Sequence, residues 1–123
     1  NRKGQNVLML AAKYSQAKIL DALIQKGGRE LVNSIDKSGR HSLSILLLKL
    51  SNDFKSIRDK GEQKVLVNRA FRVVRLLVRN GVDVNKLDLN KNRPRHYSRL
   101  IWKLTRRYTK KIDRYLKEHG ARR

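Results

Sequence analysis

The most informative stretch of this 123-residue chain is LLVRNGVDVNKLD, residues 76–88. Its first three residues end a run of apolar side chains that begins at Phe71 and recurs at helical spacing. Asn80 and Gly81 then stop the helix, because glycine adopts the left-handed conformation at a helix C-terminus at little cost. The stretch therefore predicts an amphipathic helix, a stop and a short turn that ends at Asp88.

Two other segments repeat this plan of a polar turn, two apolar helical runs and a glycine. Gly4 opens the upstream copy, apolar residues recur over 8–12 and 19–24, and Gly27 stops its second helix. The downstream copy contains the only proline, Pro94, which suits the first turn of a helix. Repetition at a fixed period indicates a stacked-repeat architecture. The copies occupy about residues 1–35, 36–87 and 88–123.

The apolar residues of the third copy recur every four positions. In a straight helix each such step drifts by about 40°, so four steps turn the apolar stripe by about 160°. This is too far for one flat face, and we predict two helices with a break near residues 106–109. The recurring residues are Leu100, Leu104, Tyr108, Ile112 and Leu116.

These features resemble the ankyrin repeat, whose two helices are followed by a hairpin-like turn. The resemblance implies an all-α solenoid, a single domain over residues 1–123, and His96 as the histidine that braces the turn by hydrogen bonding. The matching segments are Gly4 with Leu8-Met9-Leu10-Ala11-Ala12, residues 76–85 running into Asp88, Pro94-Arg95-His96, and residues 116–121.

Four departures from the repeat pattern stand out. Gly39 and Gly81 are 42 residues apart, whereas Gly4 and Gly27 are 23 apart, so the second repeat carries about 19 extra residues. We predict an extended, partly mobile insertion at about residues 51–64. The third repeat has about six extra residues and a lysine at a turn position where the pattern has glycine. That lysine is Lys91. In the remaining departure, Asn6-Val7 and His41-Ser42 stand in place of Thr-Pro, which removes the hydroxyl groups that brace neighbouring turns.

The composition limits the classes of protein. The chain has no cysteine, which excludes disulfide frameworks, thiolate catalysis and cysteine-based zinc sites. Its most apolar stretch, residues 43–50, is interrupted by Ser44 and Lys49, so no membrane span is expected. No secretory signal is recognised, and the chain does not begin with Met, so we expect an excerpt of a longer protein. An intracellular protein, cytoplasmic or nuclear, is favoured, and a secreted bacterial effector stays open, as does the oligomeric state.

The net charge of +21 is unevenly distributed. Residues 91–123 hold thirteen Lys and Arg and two acids, about half of the excess. A field of this sign attracts acidic proteins, nucleic acid and anionic membrane surfaces.

The ankyrin resemblance assigns partner contacts to the turn tips and inner helices. Six of the ten positions in the first two repeats are Lys or Arg. We therefore predict a protein–protein interaction module that binds an acidic partner. The first two repeats contribute Arg2, Lys3, Gln5, Lys13, Tyr14, Lys37, Ser38, Arg40, Leu48 and Lys49; the third contributes Leu89, Asn90, Asn92, Leu100 and Ile101, of which Leu100 and Ile101 are expected in the core.

The alternative is a nucleic-acid-binding accessory domain that uses the basic C-terminal helix. Cations there could neutralise phosphates, with Trp102, Tyr108 and Tyr115 available for stacking, although Tyr108 lies on the apolar register and is expected in the core. No known nucleic-acid-binding signature accompanies them. The opposite side of the helix ending at Arg79 is interpreted as a solvated basic face, formed by Arg69, Arg72, Arg75 and Arg79. The candidate nucleic-acid contacts are Arg99, Lys103, Arg106, Arg107, Lys110, Lys111 and Arg114.

No pattern in the sequence indicates an enzyme, a metal or a cofactor. His41, His96 and His119 are scattered, and none stands at metal-ligand spacing from a carboxylate. The acids Asp53, Asp59 and Glu62 lie among lysines and arginines and are interpreted as a charge-balanced loop. The only Gly-Gly pair lacks the spacing of a phosphate-binding loop.

Overall fold

The computed structural model describes residues 1–105 and 110–123, and this part of the chain is helical without strands, as predicted. Six α-helices follow one another in three pairs, with a 3-10 helix at Gly28–Leu31 between the first two pairs. None of the helices described is both long and apolar enough to cross a membrane. The helices are α1 (Val7–Lys13), α2 (Ala17–Gln25), α3 (Ser42–Phe54), α4 (Lys60–Arg79), α5 (Pro94–Thr105) and α6 (Lys110–Glu118).

The helix pairs stack in two layers. One layer contains α1, α3 and α5, and α3 contacts both of its neighbours. The second helix of each pair packs against its own partner, and α2 also contacts α4. The third copy forms two helices, as its apolar drift predicts, and the expected break at 106–109 lies outside the described residues.

The centre of the stack is α3, where nine of thirteen residues are buried. The buried residues are six apolar side chains and three serines, as expected of a helix enclosed by other helices. Each leucine that is fully buried here stabilises the fold by about 1.5–3 kcal/mol relative to an exposed one. The buried apolar residues of α3 are Leu43, Ile45, Leu46, Leu47, Leu50 and Phe54.

The extended insertion predicted at residues 51–64 is wrong for most of that segment. Residues up to Phe54 continue α3, and the Phe54 side chain is buried in the core. Asp59 begins α4 by accepting a hydrogen bond from the Glu62 backbone N–H at 2.9 Å, an arrangement typical of a helix N-cap. The extra residues therefore lengthen two helices, and only 55–59 connect them. The interpretation of the three acids as loop residues is therefore wrong: Asp53 lies in α3, Asp59 is the N-cap of α4, and Glu62 is in its first turn.

Three turn tips share one backbone conformation. Gly4, Gly39 and Lys91 have positive φ angles of 75°, 72° and 60°. The sequence alignment of the repeats places these residues at equivalent positions, and the backbone agrees. A lysine in this region costs about 1 kcal/mol, because its Cβ lies too close to the following carbonyl oxygen.

We expect Lys91→Gly to raise the free energy of unfolding by up to about 1 kcal/mol by removing that strain. Gly39→Ala should lower it by about 1–3 kcal/mol, since a Cβ there would lie 3.1 Å from the Leu89 backbone nitrogen. Urea unfolding followed by circular dichroism measures both changes. Gly81→Ala is the control, because Gly81 also has a positive φ but an added Cβ there would meet no other atom. An unchanged Gly39→Ala variant would show that the tips are not tightly packed.

His41 replaces the missing hydroxyl brace of the second repeat. Its Nδ1 accepts a hydrogen bond from the Ser44 backbone N–H at 3.3 Å, which caps α3, and its Nε2 donates to the Asp83 carbonyl at 2.6 Å. Asn6 caps α1 in the same way, accepting from the Met9 N–H at 2.8 Å. The side chains that stand in place of the Thr hydroxyl therefore keep the helix starts hydrogen-bonded.

His41 should make stability depend on pH. Burial lowers its pKa below the usual value of about 6.5, against the opposing effect of the Asp83 carbonyl. The unfolded chain then binds more protons than the folded chain below that pH, so stability falls as the pH drops through about 6.5. We expect urea midpoints to decrease between about pH 7.5 and pH 5, and His41→Thr to flatten this dependence. Equal slopes for both proteins would contradict the assignment to His41.

Candidate functional site

The second and third turn tips are braced from inside by an aspartate. The Asp36 Oδ1 accepts hydrogen bonds from the backbone N–H groups of Ser38 and Arg40, at 2.8 and 3.0 Å. Asp88 holds its own tip in the same way through Asn90 and Asn92, at 2.9 and 3.0 Å. Short polar side chains that bond backbone two residues ahead are typical of tight turns.

Adjacent tips are joined by backbone hydrogen bonds. The Lys37 N–H donates to the Lys3 carbonyl at 2.9 Å, and the Leu89 N–H donates to the Ser38 carbonyl at 3.0 Å. The tips therefore lie side by side at a distance typical of neighbouring strands. Side chains at equivalent tip positions are brought onto one edge of the stack.

A concave groove of about 730 Å³ lies between the first two tips and the helices α1 and α3. All ten contact positions predicted from the first two repeats line this groove, and Asp36, Ile45, Asn52 and Asp53 complete it. We call it the concave groove. The ten are Arg2, Lys3, Gln5, Lys13, Tyr14, Lys37, Ser38, Arg40, Leu48 and Lys49.

The five positions predicted from the third repeat do not line the concave groove. Ile101 is fully buried, as expected, whereas Leu100 is 37% exposed, so the expectation of a core position holds for only one of them. Leu89 is 73% exposed. The backbone N–H groups of Asn90 and Asn92 donate to Asp88 in the third tip.

Arg40 differs from the other groove cations because it is engaged inside the protein. Its Nε lies 3.3 Å from the Asp88 carboxylate and donates to the Tyr97 hydroxyl oxygen at 3.3 Å. The Tyr97 hydroxyl in turn donates to Asp88. Burial would lower the pKa of Arg40, but the hydrogen bond with Tyr97 and the charge of Asp88 raise it overall. Arg40 therefore joins the second repeat to the third.

Asp88 stays ionised in this network. Burial would raise the pKa of its carboxyl group, but the hydrogen bonds from Tyr97 and the Asn92 N–H, with the nearby charge of Arg40, lower it. The Tyr97 pKa is raised, first by burial and then by the bond to Asp88. The buried charge is therefore paired and hydrogen-bonded, as a stable interior requires.

Tyr14 forms the exposed aromatic surface of the concave groove. The Nζ atoms of Lys13 and Lys49 each lie 5.5 Å from its ring centroid, within range of a cation–π interaction. Lys49 is also paired with Asp53 at 2.9 Å. In the part of the chain that the structure describes, the groove cations without an ion pair are Arg2, Lys3, Lys13 and Lys37.

The candidate nucleic-acid residues are spread over different faces. Arg99, Lys110 and Arg114 line a second groove of about 300 Å³ between α5 and α6, which we call the α5–α6 groove. Lys103 is exposed and lines neither groove. Arg106, Arg107 and Tyr108 lie outside the described residues.

Lys111, the remaining member of that set, contacts α4. Its Nζ donates to the Asn68 side-chain oxygen and lies 5.1 Å from the centroid of Phe71. Burial and the charges of Arg75 and Lys64 lower the Lys111 pKa. The Arg75 guanidinium also lies over Phe71, at 4.9 Å, whereas the stripe residues Arg69, Arg72 and Arg79 are exposed as predicted.

The bracing role expected for His96 is wrong. Its side chain is exposed and meets Tyr97 edge-on at 5.2 Å. His41 holds the turn after α4 instead, and Arg40 joins the second and third turns through Tyr97 and Asp88. Within the described ranges, no group of three potential metal-ligating side chains is close enough to hold an ion.

Two asparagines that the sequence interpretation missed also join the repeats. The Asn33 side chain donates to the Gly81 carbonyl at 2.9 Å and accepts from the Asp83 N–H at 2.6 Å. Asn85 makes the equivalent pair with the Gly120 carbonyl and the Arg122 N–H, at 3.0 and 2.6 Å. The signal was present as the repeated pair Val-Asn, at residues 32–33 and 84–85.

Arg40→Met should lower the free energy of unfolding by about 1–3 kcal/mol, because it removes a partner from a buried ionised carboxylate. Lys37→Met, three residues earlier on the same tip and exposed, should change it by less than about 0.5 kcal/mol. Chemical denaturation of the two variants side by side measures the difference. Equal effects would show that Arg40 does not stabilise the contact between repeats.

Among the comparisons with known proteins, only the comparison of structures found a match, and it supports the fold. No protein-family model matches the chain, and no curated protein matches it significantly. The structure is similar to the crystal structure of an ankyrin repeat domain from Acinetobacter baumannii AYE, with a TM-score of 0.74 and 20% sequence identity. The match covers 99% of this chain and 51% of that one, so the chain spans about half the length of this solved structure. The chain has the ankyrin-repeat fold.

Proposed function

We propose that this chain is a protein–protein interaction module whose concave groove binds an acidic segment of a partner protein. The ankyrin fold generally serves protein–protein interaction, which supports the broad assignment. The observation that carries the finer proposal is the set of unpaired cations along one wall of the groove. Arg2, Lys3 and Lys37 are exposed at adjacent tips and have no ion-pair partner in the described structure.

The division between paired and unpaired cations favours an acidic ligand. Arg40 and Lys49 are neutralised by Asp88 and Asp53, so their charges are already compensated. The tip cations have no such compensation, and their mutual repulsion is relieved when a carboxylate-bearing chain is bound. Complementary charge accelerates encounter and selects the partner more than it adds affinity.

The floor of the concave groove favours a partner segment that also has apolar surface. Tyr14 is 55% exposed beside the half-buried Leu48. Aromatic residues with a polar end are enriched at the centres of protein interfaces. The preferred partner segment therefore carries an apolar or aromatic side chain between its acidic residues. The mechanism is equilibrium binding, and we assign no catalytic step to the groove.

A synthetic peptide tests this proposal directly. The probe is a labelled peptide of about ten residues, rich in Asp and Glu around one central Phe, followed by fluorescence anisotropy at about 0.15 M salt. We expect Lys3→Glu/Lys37→Glu to weaken binding at least tenfold, about the effect of losing one or two charge-assisted contacts. The folded state of each variant is checked by circular dichroism.

The matched control is Arg72→Glu/Arg79→Glu, which changes the net charge by the same amount on the exposed face of α4. This variant should bind the peptide within about twofold of the unchanged protein, because screening limits exposed charges beyond about 8–10 Å. Equal losses in the two variants would show attraction to the overall charge and would overturn the proposed site. Tyr14→Ala should also weaken binding, and an unaffected variant would remove the apolar floor from the proposal.

A further inference from the structure

We propose that the α5–α6 groove is a second binding site, for a compact ligand that carries two or more phosphate groups. It lies between two helices of the third repeat and shares no lining residue with the concave groove. The inference does not depend on the proposed protein–protein interaction. Apart from Arg95, which is paired with Asp113, the cations of the groove are Arg99, Lys110, Arg114, Lys117 and Arg123.

The single acid of the groove is fully engaged. Asp113 forms a two-point pair with Arg95, with Nε–Oδ1 and Nη2–Oδ2 distances of 3.0 Å, and its Oδ1 also accepts from the Ser98 hydroxyl at 2.8 Å. Burial would raise the Asp113 pKa, but these bonds lower it, so the carboxylate is ionised and compensated. The five cations are left without an ion-pair partner in the described ranges.

The walls of the groove are held in place by hydrogen bonds. Arg95 joins α5 to α6 through Asp113 and also donates to the Ala121 carbonyl at 3.5 Å. Arg93 donates to the Arg123 carbonyl at 3.1 Å, which fixes the residues after α6 against the start of α5. The cations therefore converge from three segments on a preorganised site, which reduces the entropy lost on binding.

The size of the groove selects a compact ligand over a long polyanion. Its volume is about 300 Å³, and the α6 residues that line it, Lys110 to Lys117, span about 10 Å at 1.5 Å per residue. An extended nucleic-acid strand would pass beyond this length, so most of its phosphates would lie outside the groove. Closely spaced phosphates match the local density of charge.

Trp102 gives the groove an aromatic wall but little stacking surface. The Lys110 Nζ lies 5.3 Å from its ring centroid and occupies one face of the indole. The indole N–H is buried without a hydrogen-bond partner in the described structure, which is costly unless an acceptor reaches it. A phosphate oxygen is such an acceptor only once neighbouring side chains shift, because the nitrogen is closed to solvent in this conformation, whereas base stacking would compete with Lys110.

The simpler alternative is that this basic surface binds no ligand and only keeps the protein soluble. Charged side chains keep an exposed helix pair soluble without any ligand. A surface serving only solubility mixes both signs, because clustered charges of one sign repel each other. Here five unpaired cations surround one compensated carboxylate, and that imbalance favours an anion-binding site.

The single tryptophan of the chain makes the site measurable. The probe is inorganic tripolyphosphate, titrated while the fluorescence of Trp102 is recorded at about 0.15 M salt. We expect a saturable change, weakened at least about tenfold by Arg114→Gln/Lys117→Gln, since each charge-assisted bond is worth a large part of that factor. Both residues are exposed, and circular dichroism checks the fold.

Two control variants make the outcome decisive. Arg72→Gln/Arg79→Gln removes the same charge from α4 and should leave the affinity within about twofold. Lys3→Glu/Lys37→Glu should also retain tripolyphosphate binding, so failure of the peptide site and failure of this site are distinguishable. No saturable change in fluorescence, or equal losses in the groove and α4 variants, would overturn the proposal.

Competition then identifies the source of the phosphates. Vesicles containing a bisphosphorylated inositol lipid that displace tripolyphosphate would indicate a lipid headgroup. Displacement by the soluble inositol phosphate but not by vesicles would indicate a free ligand, and either result supports the site. Tighter binding of a single-stranded oligonucleotide of about 20 nucleotides, lost in the groove variant, would overturn the compact-ligand assignment in favour of nucleic acid.

Discussion

Burial of α3 between its neighbours is the constraint on which the rest of the structure depends. Helices α1 and α5 flank it, α4 covers it, and only four of its thirteen residues retain appreciable exposure. A single helix pair cannot enclose such a helix, so the repeats are stable only as a stack. Apolar residues are therefore buried at the centre of the stack, and the large positive charge is distributed over the surface.

Polar bonds between repeats convert this apolar stack into a defined shape. Asn33 and Asn85 bond to backbone of the following repeat, His41 bonds to the turn that ends its own repeat, and Arg40 reaches Tyr97 and Asp88 of the third repeat. Hydrophobic burial alone has little directional preference, whereas hydrogen bonds specify orientation. The tips therefore keep the spacing that forms the concave groove.

The distribution of charge has two structural outcomes. Some cations, such as Arg40 and Arg95, are paired with buried or half-buried carboxylates and join elements of the fold. Others remain unpaired and collect in the two grooves, at the turn tips and between α5 and α6. The amino-acid composition gives only the net charge and does not separate paired from unpaired cations. Nine of the unpaired cations line the two grooves, and others, such as Arg69, Arg72 and Arg79, lie on the exposed face of α4.

Local signals were enough to predict the repeats, the helix stops at Gly27 and Gly81 and the start of α5 at Pro94, because each depends on neighbours in sequence. The resemblance to the ankyrin repeat supplied the ten contact positions that line the concave groove, and their role in binding stays a prediction. The helical continuation at 51–64, the exposure of His96 and the partners of Arg40 were decided by tertiary structure. Arg40 and Tyr97 are 57 positions apart. Their pairing exists only once stacking brings two repeats together, since a charged side chain finds its partner by distance in space.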